Sequence, residues 1–201
     1  MPHKSPSVYL AGPMVFLPDA TAVFDEMKQI LLGFGLKGVA PLDNQIGLEG
    51  NLPGRSLAMA IYRADETLMK TLDAAIFDVT PFRHGTEMDA GTAFEIGYCR
   101  ALGKPIVGWT SDPRMYPELV RDHFAREGKT LSPGAANTTG ATSGALRDPD
   151  GVLVHSEGLH QNLMIEMAIE ASGGHVHADP DWRRAFASAG QDLAAMLVRK
   201  T

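Results

Sequence analysis

A chain of 201 residues with 44% apolar residues is long enough to bury a sizeable core, and it predicts one domain over residues 1–201. The charged fraction of 21% excludes global disorder, and the net charge of −6 argues against a surface that neutralises a nucleic-acid strand. The single cysteine cannot form an intramolecular disulfide, and we expect neither a signal peptide nor a membrane-spanning segment. These features predict a cytoplasmic protein with no membrane partner.

Short apolar segments alternate with segments of helical periodicity through the first half of the chain. The predicted strands are 7–11, 36–40, 73–79 and 104–109, and the predicted helices between them are 19–33, 57–72 and 89–102. This alternation is typical of an open parallel sheet with helices on both faces. In such a sheet, ligands bind outside the carboxyl ends of the strands, so the loops after the first three strands form the candidate binding region.

The second half of the chain is less regular. Three further helices are predicted, at 115–127, 159–172 and 180–199. Residues 128–151 are rich in Gly, Ala, Ser and Thr and lack periodic apolar positions, which predicts a long mobile loop or an inserted segment.

Two carboxylates share one predicted helix that begins just past the loop of the third strand. Asp89 lies near its start and Glu95 near its middle, within the segment DAGTAFEIGY. A carboxylate beside apolar neighbours is costly to bury unless it is used or paired. An isolated helix glutamate is usually solvated, so the functional interpretation depends on the residues around it.

Other polar residues fall in the same predicted cleft. Asp65 lies on the second helix and Asp78 near the end of the third strand, and carboxylates that share a cleft can divide the roles of nucleophile and acid. Gln45 ends the segment PLDNQ and offers a donor and an acceptor, which suits a base edge or a sugar hydroxyl. Taken singly, these residues also fit solvated or turn positions.

Several classes of site are disfavoured. The chain has no GxxxxGK[ST] loop and no GxGxxG after the first strand, which argues against nucleoside triphosphates and dinucleotides. His175 and His177 lack acidic or cysteine partners at a matching spacing, so we predict no metal site. Cys99 is expected to be a packed apolar group rather than a nucleophile.

The chain resembles the nucleoside 2-deoxyribosyltransferase family. The matching pieces are Tyr9 in VYLAGP, the PLDNQ segment ending at Gln45, Asp65, the segment 89–98, and Asn162-Leu163-Met164. The resemblance implies a flavodoxin-like α/β fold, no cofactor or metal, and a homo-oligomer with active sites shared between subunits. It also implies 2′-deoxynucleosides and free nucleobases as substrates, in nucleoside salvage.

The resemblance also implies roles for individual residues. Glu95 would be the nucleophile, oriented by Tyr9, while Asp65 and Asp89 would bind substrate and manage protonation of the base. Four more residues, besides Gln45, would contact substrate: Gly12, Phe16, Asn162 and Met164.

Asn162 is expected to reach a neighbouring subunit's site and hold the 5′-hydroxyl of the sugar, with Met164 lining the same region. The chain departs from shorter family members in loop 82–88 and in an extended segment before Asn162.

The predicted activity is that of a pentosyltransferase. It moves 2-deoxyribose from a 2′-deoxynucleoside to a free purine or pyrimidine base through a covalent sugar–Glu95 intermediate, with retention at C1′. One alternative is a 2′-deoxynucleoside 5′-monophosphate N-glycosidase, for which His155 and His160 lie near Asn162 in sequence. The other is a non-catalytic nucleotide-sensing module.

Overall fold

The computed structural model describes residues 5–45, 52–134 and 145–199. Its strands are β1 Ser7–Ala11, β2 Lys37–Val39, β3 Ala74–Asp78, β4 Ile106–Thr110, β5 Ser132–Pro133, β6 Leu146–Arg147, β7 Leu153–Val154 and β8 Val176–Ala178. Its helices are α1 Ala20–Leu32, α2 Gly54–Thr71, α3 Ala90–Ala101, α4 Tyr116–Ala125, α5 Leu163–Glu170 and α6 Trp182–Arg199. Short 3₁₀ turns follow β1 and β2, at Pro13–Phe16 and Pro41–Asn44.

Five strands form one parallel sheet in the order β2-β1-β3-β4-β8. This is the strand order of flavodoxin-like proteins, in which the switch point lies between β1 and β3. The central strands β3 and β4 are buried along their whole length, which explains their nearly continuous apolar sequences. The predicted open parallel α/β sheet is confirmed.

Helices cover both faces of this sheet. On one face α1 and α6 enclose a core that includes Val8, Leu10 and Phe186, while on the other α2, α3 and α5 enclose a core that includes Tyr9 and Ile96. Successive side chains of a strand point to opposite faces, so β1 contributes to both cores. Tyr9 is thereby directed toward α3.

The observed helices lie within a few residues of the predicted ones. The largest difference is at α5, which begins at Leu163 rather than near residue 159 because Asn162 is its N-cap. Residues 41–56, between the second predicted strand and the second predicted helix, contain the 3₁₀ turn and the start of α2, and residues 46–51 lie outside the described part.

Strand β8, which pairs with β4 at Gly108↔Val176, was not predicted. It covers only three residues and includes a histidine, so it lacks a recognisable alternation.

A second, antiparallel sheet joins β5, β6 and β7. Strands β5 and β6 lie within the segment 128–151, where the composition predicts a loop, and residues 135–144 of that segment lie outside the described part. Within the described ranges, no helix combines the length and apolarity needed to cross a membrane.

Candidate active site

A hydrogen bond between β1 and α3 organises the site. The Tyr9 hydroxyl donates to Oε1 of Glu95 at 2.6 Å. Tyr9 is fully buried, and the packing of α3 against this face of the sheet brings Glu95 within its reach. Each partner lies in regular secondary structure, Tyr9 in a strand and Glu95 in a helix.

The surroundings of Glu95 favour its neutral form. Its pKa is raised to about 7, chiefly by burial and also by the nearby charges of Asp65 and Asp89, while the hydrogen bond from Tyr9 acts in the opposite direction. Burial and the Glu95 charge also raise the pKa of Tyr9, so its hydroxyl keeps its proton and remains a donor. The result is a carboxyl group that changes charge near neutral pH.

Glu95 opens into a cavity of about 410 Å³ at the carboxyl ends of β1 and β2. Its lining residues are Gly12, Val15, Phe16, Pro41, Leu42, Gln45, Ile61, Asp65, Asp89, Gly91, Thr92 and Glu95. The cavity lies where ligands bind in parallel α/β sheets, and its volume suits a small organic molecule. Three of its side chains are carboxylates, so the cavity combines apolar walls with acidic groups.

Gln45 and Asp65 form a pair on one wall. The Gln45 side-chain amide donates from Nε2 to Oδ1 of Asp65 at 3.0 Å. Burial raises the pKa of Asp65, and the bond from Gln45 opposes the rise. The pair therefore presents a carboxyl group that can hold a proton, beside an amide oxygen that can accept a hydrogen bond.

Asp89 also lines the cavity, and it is the N-cap of α3. Its Oδ2 accepts from the Thr92 amide at 2.9 Å and from the Thr92 hydroxyl at 3.0 Å. The cap satisfies a helix-end N–H through Oδ2 alone. Asp89 is therefore both the N-cap of α3 and a lining residue of the cavity.

The structure brings most of the predicted residues together: Gly12, Phe16, Gln45, Asp65, Asp89 and Glu95 line the cavity, and Tyr9 lies behind Glu95. Asn162 and Met164 do not line it. Asn162 accepts the Met164 amide at 2.9 Å as the N-cap of α5, and Met164 is 72% exposed. Both lie on the surface of the chain.

Asp78, the fourth candidate carboxylate, is buried beneath the cavity. A Cβ on Gly12 would lie 2.6 Å from the Cβ of Asp78, so the backbone at Gly12 passes directly over it. Asp78 accepts the Thr80 amide at 2.9 Å, and burial raises its pKa to about 6. Its place in the structure is the start of the loop that leads to α3.

Apart from Phe16, the apolar residues of the wall were not predicted from the sequence. Val15, Leu42 and Ile61 line the cavity, and of these only Ile61 has a sequence signal. It lies four residues before Asp65 on α2 and therefore shares its face of the helix. Apolar lining residues resemble core residues in sequence, and only their position beside an open space distinguishes them.

A second cavity of about 560 Å³ adjoins the first and shares Phe16 and Asp89 with it. The rings of Phe16 and Phe82 stack with centroids 5.6 Å apart, and the guanidinium of Arg83 lies 4.9 Å from the centre of the Phe82 ring. Arg83 and His84 both have positive φ angles, of 53° and 61°, which non-glycine residues rarely adopt. Loop 82–88 therefore places a cation at the edge of the site.

This fold and cavity define a class: α/β proteins of flavodoxin-like strand order with a half-buried glutamate, hydrogen-bonded to a tyrosine, at the wall of a cavity beside the strand ends. The family profile described as Nucleoside 2-deoxyribosyltransferase matches residues 8–164, and the chain belongs to this family. The matched segment runs from β1 to the start of α5 and includes every residue for which a catalytic or binding role was predicted.

Proteins from a yeast, a protozoan and a bacterium are similar to this chain. The chain is 47% identical over 197 residues to the protein "Uncharacterized protein C191.05c" of Schizosaccharomyces pombe, covering 98% of this chain and 92% of that protein. It is similar to the solved 2-desoxiribosyltransferase of Leishmania mexicana, with 28% identity, a TM-score of 0.61, and coverage of 92% and 97%. A conserved protein of Enterococcus faecalis V583 shares the fold, with 18% identity, a TM-score of 0.54, and coverage of 91% and 98%.

Proposed function

We propose that this protein transfers 2-deoxyribose between nucleobases, with Glu95 as the nucleophile. The observation that carries the proposal is the 2.6 Å hydrogen bond from Tyr9 to Glu95 at the wall of a cavity that Asp65 and Asp89 also line. A carboxylate aimed at a cavity and held by a phenol is suited to attack an anomeric carbon. The other carboxyl groups are placed to exchange protons with a base.

The reaction is a double displacement. An oxygen of Glu95 bonds to C1′ as the C1′–N bond breaks, and the electron pair of that bond leaves with the base, which Asp65 or Asp89 protonates. Burial raises the pKa of Asp65, which favours the protonated form that this step needs. The acceptor base then attacks C1′, the bond to Glu95 breaks, and the proton of the acceptor returns to the carboxylate. Two inversions give retention at C1′.

We further propose that the active site is shared between copies of the chain. Asn162 and Met164 lie outside the cavity of their own chain, at the surface, where a second copy could receive them. Exposed apolar side chains on α3 and α5 support an interface there: Phe94, Leu163, Met164 and Met167. In this arrangement Asn162 would contact the sugar 5′-hydroxyl in the partner's site.

We also propose that residues 1–201 form one domain, in which 128–151 is an insertion. The reaction uses no cofactor or metal, and the protein acts in the cytoplasm on 2′-deoxynucleosides and free bases.

One observation favours a second candidate, hydrolysis of 2′-deoxynucleoside 5′-monophosphates. The Arg83 guanidinium lies in a cavity that adjoins the proposed sugar site, with His123 lining the same cavity. A cation there could hold a phosphate. Glu87 and Asp89 line that cavity too, and their charges oppose an anion. We therefore place this candidate second.

Chromatography of the products distinguishes these functions. The protein is incubated with 2′-deoxyinosine and free adenine, with 2′-deoxyuridine as a parallel donor, and Glu95→Ala serves as the matched variant. The appearance of 2′-deoxyadenosine with wild type alone supports transfer through Glu95. Free base and free sugar would indicate a hydrolase, and turnover of 5′-monophosphates alone would support the second candidate. Binding without turnover, unchanged in Glu95→Ala, would indicate a sensing module.

A further inference from the structure

Gln161 is a buried polar side chain that lies outside the cavity and holds the backbone leading into α3. It is 1% exposed. Its Oε1 accepts the Met88 amide at 3.0 Å, and its Nε2 donates to the Thr86 carbonyl at 3.3 Å. The side-chain amide therefore pairs with the backbone on both sides of Glu87, as a residue of a neighbouring parallel strand would.

The main chain of Gln161 is fixed as well. Its N–H donates to Oε1 of Glu166 at 2.6 Å, and Glu166 is itself buried at 6% exposure. A buried amide that lost these partners would leave unsatisfied polar groups behind, so the arrangement is strongly specified. The anchor for loop 82–88 is therefore the start of α5, which is distant in sequence.

Two further contacts hold the same stretch of the loop. The Glu87 carbonyl accepts the Phe82 amide at 2.9 Å, and Oε1 of Glu87 accepts the Tyr116 hydroxyl at 2.6 Å. Together with Gln161 they leave the peptide between Glu87 and Met88 little freedom. The next residue along the chain is Asp89, where α3 begins.

We propose that Gln161 is a positioning residue for the active site. By holding the Met88 amide, it places Asp89 and the first turns of α3 so that their carboxylates have the geometry that the reaction needs. Gln161 does not line the cavity, so it acts only through the backbone that it binds. Asp89 follows Met88 directly, and Glu95 lies on the helix that Asp89 caps. The inference rests on the proposed function, because it assigns the residue to that reaction.

The substitution Gln161→Glu tests this role because the effect of the introduced carboxyl group depends on pH. When protonated, this group can accept from Met88 and donate to Thr86, as the amide does. When ionised, it can only accept, and the Thr86 carbonyl faces a negative oxygen. The charged groups around it are Glu166 on α5, His160 beside it, and Glu87 and Asp89 on the loop side. Burial and the neighbouring carboxylates favour the protonated form at acidic pH.

The experiment compares kcat and KM for transfer between about pH 5.5 and about pH 8.5 in wild type and Gln161→Glu. At each pH, kcat of the variant is divided by kcat of wild type, because Glu95 titrates in both. We expect a ratio near one at the acidic end and a fall of about 10-fold or more at the alkaline end, with KM nearly constant. Gln29→Glu makes the same chemical change at an exposed position on α1 and is expected to keep a ratio near one throughout.

Two additional measurements separate positioning from loss of folding. Thermal unfolding at each pH shows whether kcat falls only in proportion to the unfolded fraction, a result that would overturn the proposal. Gln161→Met removes both side-chain hydrogen bonds without adding charge. We expect it to lower kcat at every pH, with no recovery at the acidic end.

Amide hydrogen exchange provides a test that does not need turnover. In Gln161→Glu at alkaline pH, the amides of Met88 and Thr92 should exchange faster than in wild type, and in Gln29→Glu they should not. Unchanged exchange and a kcat ratio near one at all pH values would refute the role of Gln161. If wild type shows no transfer activity but amide exchange is still faster in Gln161→Glu, the proposed function is refuted. The positioning of α3 by Gln161 is then still supported.

Discussion

The hydroxyl of Tyr9 donates to Glu95 and so opposes the rise in the Glu95 pKa that burial causes. Removing the hydroxyl with Tyr9→Phe keeps the buried ring but takes away the donor, so the pKa of Glu95 should rise further above about 7. We expect the acidic limb of the kcat/KM profile to move to higher pH and the activity at neutral pH to fall by about 10- to 100-fold. If the acidic limb of the kcat/KM profile does not move in Tyr9→Phe, Tyr9 does not affect the pKa of Glu95.

The charge of Glu95 should also affect stability. Its pKa is about 7 in the folded protein against an ordinary value of 4.5, so the unfolded chain ionises first as the pH rises. The stability associated with neutral Glu95 is complete below pH 4.5 and is lost as the pH passes through 7.

Glu95→Gln removes this loss of stability at high pH, because the amide does not ionise and its oxygen can still accept a hydrogen bond from Tyr9. The variant should therefore be inactive yet more stable than wild type at alkaline pH, by about 3 kcal/mol, with little difference at about pH 4.5. Denaturant unfolding at the two pH values measures this, and a stability gain that does not depend on pH would contradict the account.

At the scale of the element, α3 depends on Asp89 for its N-terminal cap as well as for a carboxylate in the cavity. Asparagine caps helices about as well as aspartate, whereas alanine does not. We therefore expect Asp89→Asn to keep the stability of wild type and Asp89→Ala to lose about 1 kcal/mol, while both lose activity because both lack the charge. If Asp89→Asn is as active as wild type, Asp89 serves only as the helix cap and its charge is not needed for the reaction. Thermal unfolding and steady-state kinetics on the two variants separate the tasks.

The elements that could be predicted are those with local signals. The limits of α3 follow from a capping residue and an apolar face, and β3 and β4 from short apolar runs bounded by turn residues. Strand β8 has neither signal, because its place in the sheet comes from pairing with β4. The short strands β5 and β6 form for the same reason, through pairing across an otherwise irregular segment.

At the scale of the whole molecule, the proposed sharing of sites makes a quantitative prediction. Glu95→Ala lacks the nucleophile, and Asn162→Ser keeps a cap for α5 but has a side chain too short to reach a neighbouring site. If sites are shared in a two-fold dimer, an equal mixture of these two inactive variants forms hybrids with one complete site each.

Such a mixture should recover about one quarter of wild-type activity after subunit exchange. The measurement is transfer activity of the mixture against each variant alone, with size-exclusion chromatography to establish the assembly. Activity no greater than the mean of the two variants would exclude shared sites.

The amino-acid sequence by itself determined the parallel α/β architecture, the position of the cavity at the strand ends, and the residues that resemble a known family. These depend on periodicity, capping and short motifs, which are local properties of the chain. The tertiary structure alone decided that Asp78 is buried beneath Gly12 and that Gln161 holds the start of α3. Each of these depends on contacts between residues far apart in sequence, and burial by those distant segments sets the pKa of Glu95.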